Sequence, residues 1–146
     1  VAGNVGSTSR LNYTVLGDSV NLAARLEGLC KKYQVAIVVS DATARRCPQV
    51  AFRELDRVRV KGKRQAVGIF EAIDYNERLT PQQHQWLAEY DVALALYRSE
   101  KFEEALQAFL ALPQDEVTEM YRGRCARFLK HPPDPDWDAI ETLDEK

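Results

Sequence analysis

The 146-residue sequence predicts an α+β fold in which a mixed region of strands and helices is followed by a region of helices alone. The pattern of elements changes between Tyr75 and Pro81, and the balance of charge changes at the same place. Residues 1–78 contain 13 Lys and Arg against 8 Asp and Glu, whereas residues 79–146 contain 7 against 14. We therefore predict a first unit over residues 1–78, a helical extension over residues 79–131 and an acidic tail over residues 132–146.

The first unit reads as strands around one long helix. Residues 11–16 are rich in β-forming side chains and predict a strand, which Gly17 ends. Asp18 is a suitable N-cap for a helix over residues 19–33, in which Leu22, Leu26 and Leu29 form an apolar stripe. A short buried strand is predicted at 35–39, followed by a helical turn after Ser40 or Asp41. Two further strands, at 50–60 and 67–73, are predicted to form a hairpin around the polar turn at 61–65.

The second half predicts helices at 83–98, 102–112 and 117–129. The first two resemble one tetratricopeptide unit, with small and aromatic residues where two helices pack closely: Ala93, Leu96, Phe102, Ala105 and Phe109. A single unit cannot bury its own apolar face. We therefore expect the extension to pack against the first unit or against a partner chain.

Composition narrows the possible classes of protein. No apolar run approaches the roughly 20 residues that a membrane-spanning helix needs. The three cysteines, Cys30, Cys47 and Cys125, fit neither a disulfide framework nor the spacing of a zinc site, which favours a cytoplasmic location. His84 and His131 read as surface residues rather than metal ligands. The acidic second half argues against nucleic acid as a partner.

Asn21 and Arg25 are candidates for chemistry. They lie four residues apart on the predicted helix, so both project from one face, which is offset from the leucine stripe. An amide beside a guanidinium can hold a sugar and a phosphate, because Arg matches the geometry of phosphate oxygens. The spacing alone nevertheless favours an ordinary solvated polar face.

The residues around this pair decide between the two interpretations. Residues 13–27, YTVLGDSVNLAARLE, resemble the signature of the class III adenylate and guanylate cyclases. The resemblance runs from Gly3 to Tyr75 and includes a glycine loop at 3–7 and a hairpin turn at 60–63. It implies part of a ferredoxin-like cyclase catalytic fold, followed by the helical extension. It also implies an adenylate cyclase, which converts ATP to 3′,5′-cyclic AMP and pyrophosphate.

The resemblance gives each candidate residue a role. Asn21 would orient the ribose, and Arg25 would stabilise the negative charge that develops on the α-phosphate. Lys61, or less directly Lys63, would hold the terminal phosphates. Thr14 stands where the purine is selected, and a threonine there is typical of members that use ATP. Without the resemblance, both lysines read as residues of an exposed turn and Thr14 as an ordinary strand residue.

The family further implies two divalent ions, Mg²⁺ or Mn²⁺, held by two aspartates that we expect N-terminal to Val1. Asp18 and Asp41 are not at those positions, and we interpret them as helix caps. Members form head-to-tail dimers with composite sites, so the expected partners are ATP and a second cyclase subunit, with an upstream sensor or membrane anchor possible. Residues 1–146 alone are expected to be inactive. Two alternatives stay open at this point: a guanylate cyclase making cyclic GMP, and a non-catalytic cyclase-like regulatory module.

Overall fold

The computed structural model describes residues 18–60 and 64–143, with side chains from 25 to 59 and from 64 to 143. The predicted glycine loop, the strand at 11–16 and most of the turn at 61–65 lie outside these residues. Within them the α+β class is confirmed, because these residues form α-helices and a four-stranded sheet.

The elements follow the predicted order closely. The α-helices are α1 Asp18–Tyr33, α2 Asp41–Arg45, α3 Pro81–Arg98, α4 Phe102–Leu110 and α5 Glu116–Lys130. The strands are β1 Val38–Ser40, β2 Val50–Val60, β3 Val67–Tyr75 and β4 Glu141–Leu143, and a 3₁₀ turn spans Asn76–Arg78.

The sheet has the order β1-β3-β2-β4. The predicted hairpin is confirmed, since β2 and β3 pair antiparallel with Val58 opposite Val67. β1 pairs antiparallel with β3, and β4 joins the other edge of β2 in parallel. The entry of a segment of the acidic tail into the sheet was not predicted from the sequence.

An irregularity in β2 shapes the centre of the molecule. Glu54 pairs with Phe70 and Asp56 pairs with Ile69, so Leu55 is left over as a bulge. A bulge places consecutive side chains on the same side of a strand and removes backbone groups from the ladder. Leu55 and Asp56 are accordingly both buried, at 0% and 2% exposure.

The helices α3 and α5 pack against β2. Tyr90 of α3 donates its hydroxyl to the carbonyl oxygen of Glu54 at 2.7 Å, and Tyr121 of α5 donates to the carbonyl oxygen of Leu55. These two phenols satisfy backbone acceptors at and beside the bulge. One core cluster contains apolar residues from α1, β2, β3 and α3 to α5. Of the two surfaces expected to receive the extension, the first unit is the one that it contacts here.

The closely packed helix pair has the small residues where they were predicted. Ala93 of α3 and Ala105 of α4 are both fully buried. The tetratricopeptide-like character and the division into units at residues 78 and 131 stay predictions. The start of α3 has a capping box that the sequence interpretation overlooked, in which Thr80 accepts from the backbone N–H of Gln83 and the Gln83 side chain accepts from that of Thr80.

The interpretation of Asp41 as a helix cap is wrong. Ser40 is the N-cap of α2, and its hydroxyl accepts from the backbone N–H of Thr43 at 3.3 Å. Asp41 is the first helical residue, where its carboxylate accepts from the N–H of Ala42. Ser and Asp are similar in cap preference, so the adjacent pair could not be separated by sequence alone. Asp18 likewise lies inside α1, as its first residue, and its side chain is outside the description.

None of the helices described is both long enough and apolar enough to cross a lipid bilayer.

Candidate functional site

The helix α1 carries the central part of the predicted site. Asn21 and Arg25 are both helical, one turn apart, and the side chain of Arg25 is half-buried. The apolar stripe that fixes the helix is buried at Leu26, Leu29 and Tyr33. Because Arg25 is offset from that stripe, it lies at the margin of the packed surface, where a side chain can reach a ligand and still be held by its neighbours.

The other predicted residues lie outside the described chain: Thr14 precedes α1, and Lys61 and Lys63 belong to the segment between β2 and β3. The side chain of Asn21 is also outside the description. β2 ends at Val60 and β3 begins at Val67, and the two strands pair as an antiparallel hairpin. The structure therefore brings none of these side chains to a measured distance from Arg25.

A buried polar cluster holds the C-terminal end of α1. The hydroxyl of Tyr33 donates to Oδ2 of Asp56 at 2.8 Å, and Nη2 of Arg124 donates to the same oxygen at 2.8 Å. The other oxygen, Oδ1, accepts from the backbone N–H of Arg57 at 2.9 Å. All three side chains are buried, and within the described part of the chain the charge of the Asp56 carboxylate is balanced by the guanidinium of Arg124 alone.

The electrostatics of this cluster agree with its geometry. Burial raises the pKa of the Tyr33 hydroxyl well above its ordinary value, and the negative charge of Asp56 raises it further. Burial works against the charged form of Arg124, but the hydrogen bond and charge of Asp56 outweigh it, so the pKa of Arg124 is raised. Tyr33 is therefore a neutral donor and Arg124 a permanent cation at physiological pH.

Two more ion pairs join β2 to the helices. Arg53, which is 2% exposed, lies 2.6 Å from Oε2 of Glu71 and 2.8 Å from Oδ2 of Asp115. Its guanidinium also lies 5.1 Å from the ring of Trp86 and 5.2 Å from that of Tyr90.

Glu54, the residue after Arg53, forms the second ion pair. Arg98, at the end of α3, donates from Nη1 to Oε1 of Glu54 at 2.8 Å. Four consecutive residues of β2, from 53 to 56, thus each bond to α3 or α5 through a side chain or a carbonyl oxygen.

A groove of about 630 Å³ lies beside the second pair, between the hairpin and α3. Its charged walls are Glu54, Arg57, Asp91 and Arg98, so it presents both signs of charge. It selects neither anions nor cations.

The described residues do not offer a metal centre. They contain no group of three or more His, Cys, Asp or Glu side chains placed to hold an ion.

The sequence interpretation missed Asp56, Arg53 and Arg124. The first two could not be singled out from the sequence, because β2 contains five charged residues and no local feature separates these two from the other three. No local signal identifies Arg124 as the partner of Asp56, since the two residues are 68 positions apart.

Comparison with known proteins bears on the first half of the chain. Residues 1–72 match the family model described as the adenylate and guanylate cyclase catalytic domain. No solved structure gives a significant match.

Curated relatives match as well. The chain is 37% identical over 139 residues to "Adenylate cyclase, terminal-differentiation specific" of Dictyostelium discoideum, a match that covers 89% of this chain and 6% of that protein. It is 45% identical over 75 residues to an adenylate cyclase of Anabaena cylindrica, covering 49% and 15% of the two chains. It is 42% identical over 74 residues to adenylate cyclase 1 of Rhizobium meliloti, covering 50% and 11%. The chain thus spans only a small part of each relative.

Proposed function

Residues 1–72 belong to the adenylate and guanylate cyclase catalytic-domain family, and from this premise we propose that the protein is an adenylate cyclase that converts ATP to 3′,5′-cyclic AMP and pyrophosphate. The observation that carries the proposal is that all five candidate residues, Thr14, Asn21, Arg25, Lys61 and Lys63, lie inside the matched segment. Three relatives named adenylate cyclase support ATP rather than GTP as the substrate.

The proposed chemistry is an intramolecular displacement. The 3′-hydroxyl oxygen of ATP attacks the α-phosphorus and releases its proton to water, the bond to the bridging oxygen breaks, and pyrophosphate leaves with the electron pair. Negative charge develops on the α-phosphate oxygens, where a guanidinium held in place is worth most. Arg25 is proposed to supply it from a helix that is anchored by three buried side chains, and Asn21 to orient the ribose.

Catalytic domains of this family generally dimerise and generally use divalent metal ions. We propose a head-to-tail dimer in which this chain contributes Asn21, Arg25 and a hairpin lysine, with Lys61 the first choice and Lys63 the second. The facing subunit would supply the carboxylates for Mg²⁺ or Mn²⁺ in this composite site. An upstream sensor and a cytoplasmic site of catalysis belong to the same proposal.

The test is to identify the product. The purified complete protein is incubated with ATP or with GTP, with Mg²⁺ or Mn²⁺ present, and the nucleotides are separated by chromatography. Cyclic AMP is expected as the main product. Cyclic GMP as the main product would identify a guanylate cyclase, and the absence of any cyclic nucleotide with either metal would contradict the proposal.

A further inference from the structure

We propose that Tyr33 and Asp56 are positioning residues for the helix that carries Asn21 and Arg25, and that α5 fixes this helix through them. The inference rests on the proposed function for its kinetic consequence. Its structural consequence, a helix α1 whose order depends on α5, stands independently of any activity.

One carboxylate oxygen joins the helices α1 and α5. Oδ2 of Asp56 accepts from the Tyr33 hydroxyl at 2.8 Å and from Nη2 of Arg124 at 2.8 Å. Tyr33 is the last residue of α1, and Arg124 lies in the middle of α5. The carboxylate between them belongs to β2, at the bulge where the strand is least regular.

This junction between α1 and α5 is shielded from water. Tyr33 and Asp56 are 1% and 2% exposed, so water cannot replace a lost partner without opening the core. A buried carboxylate that loses one of its donors is destabilised by much more than a solvated one. The orientation of the Tyr33 ring and the docking of α5 therefore depend on each other.

The helix α1 connects this junction to the candidate site at Arg25. Tyr33 follows Arg25 by eight residues, which is about 12 Å along a helix at 1.5 Å per residue. Leu26 and Leu29 lie buried between them on the same stripe. A helix moves as a rigid body over this distance, and a displacement of about 1 Å at reacting groups is enough to lower a rate strongly.

The comparisons provide an independent observation. The family model ends at residue 72, before α3 begins. The match to the Dictyostelium discoideum protein covers 89% of the chain, so it continues through much of the helical extension. The two halves that meet at Asp56 therefore occur together in a second protein as well.

The experiment compares two deletions of a single buried hydroxyl in the complete protein. Tyr33→Phe removes the bond from α1 to Asp56. Tyr90→Phe is the matched control, because Tyr90 is equally buried and its hydroxyl donates to the carbonyl oxygen of Glu54 on β2 rather than to Asp56. Both variants should lose thermal stability, and Tyr33→Phe should lose more, because its hydroxyl donates to a charged carboxylate. Only Tyr33→Phe should lower kcat, by about tenfold, with little change in KM for ATP.

A second readout does not depend on activity. Amide hydrogen exchange in residues 19–33 should become faster in Tyr33→Phe and stay unchanged in Tyr90→Phe. Equal kcat for the two variants together with equal exchange in α1 would overturn the inference. If the wild-type protein makes no cyclic nucleotide, the proposed function fails, and the exchange comparison still decides the inference.

The role of α5 is tested by combining variants. Arg124→Gln should lower kcat by a factor similar to that of Tyr33→Phe, because it removes the other donor to the same oxygen. If both act through Asp56, the double variant should lose no more than about the larger single loss. A fully multiplicative loss would show that α5 acts on the site by another route and would overturn this part of the inference.

Discussion

Arg53 donates from Nη1 to Oδ2 of Asp115 at 2.8 Å, and this contact joins the strand β2 to the first turn of α5. The same aspartate caps the helix, because its Oδ1 accepts from the backbone N–H of Thr118 at 2.9 Å, while the Thr118 hydroxyl accepts from the N–H of Asp115. One carboxylate therefore both starts the helix and orients it on the sheet.

Replacing Asp115 should test the two roles separately. Asp115→Ala removes the cap and one partner of a buried guanidinium, and should lower the free energy of unfolding by about 2 kcal/mol. The ion-pair part is small because the aspartate side chain is 41% exposed and Arg53 keeps Glu71. Asp115→Asn retains a capping oxygen and should lose about half as much.

Urea unfolding measures both values. Glu116→Ala is the control, because Glu116 is the exposed neighbour in the same first turn. A loss in Asp115→Ala no larger than that of the control would contradict the dual role.

Arg25→Ala should lower the turnover of the complete protein by about 10²–10³-fold, because it removes one preorganised donor to the developing charge. Binding of ATP should change little. Steady-state kinetics with ATP measures both, and Lys31→Ala provides an exposed cation on the same helix as a control. Unchanged turnover in Arg25→Ala would remove Arg25 from the site.

Thr14 should favour ATP over GTP. Thr14→Val keeps the shape of the side chain and removes its hydroxyl, which would leave a polar group of the adenine edge without its partner. The ratio of kcat/KM for ATP to that for GTP should fall about tenfold. Competition of the two triphosphates, read as the ratio of cyclic products, gives this ratio directly. An unchanged ratio would show that the base is selected elsewhere.

The elements that the sequence predicted well are those set by local pattern. The leucine stripe fixed the extent of α1 to within a residue, and the β-forming runs on either side of the turn at 61–65 identified the hairpin. The spacing of apolar residues and the residue types of turns are local features of the sequence, so they can be recognised without knowledge of the fold. The candidate residues came from the signature, which is equally local.

The parts that were missed depend on contacts between distant positions. Nothing near Asp56 shows that Arg124 will meet it, and nothing near Glu141 shows that this segment of the tail will pair with β2. The segment Glu141–Leu143 lacks the run of valines and isoleucine that marked the strand before Ser40, so its local pattern does not predict a strand. The choice between Ser40 and Asp41 as a cap failed for a different reason, namely that both residue types fit.

Cys125 should give a measurable pH dependence of stability. Burial raises the pKa of its thiol to about 11. The folded protein therefore holds this proton more tightly than the unfolded chain, whose thiol has an ordinary pKa of about 8.5. The contribution to stability is complete below that pH and is lost as the pH rises to about 11.

The comparison of wild type with Cys125→Ala isolates this term, because the tyrosines titrate in both proteins. The difference in free energy of unfolding should be constant from pH 7 to about 8 and should shift by about 2–3 kcal/mol in favour of the variant by pH 10.5. A difference that is independent of pH would mean that the thiol is exposed in the folded protein. Alkylation of Cys125 should accordingly be slow until the protein unfolds.

Residues 79–146 should not fold on their own. In the structure α5 forms two hydrogen bonds to β2. The Tyr121 hydroxyl donates to the carbonyl oxygen of Leu55, and the Arg124 guanidinium donates to the carboxylate of Asp56. Removing residues 1–78 takes away both partners, and the guanidinium of Arg53 that lies against the rings of Trp86 and Tyr90. A lone helix pair with one further helix also leaves an apolar face without cover.

Circular dichroism and sedimentation of the isolated segment test this expectation, with residues 1–146 as the control. The segment should show weak helical signal and no cooperative thermal transition, or should associate through the uncovered face. A stable, cooperatively folded monomer of the unmodified segment would show that β2 is not needed to hold the helices together.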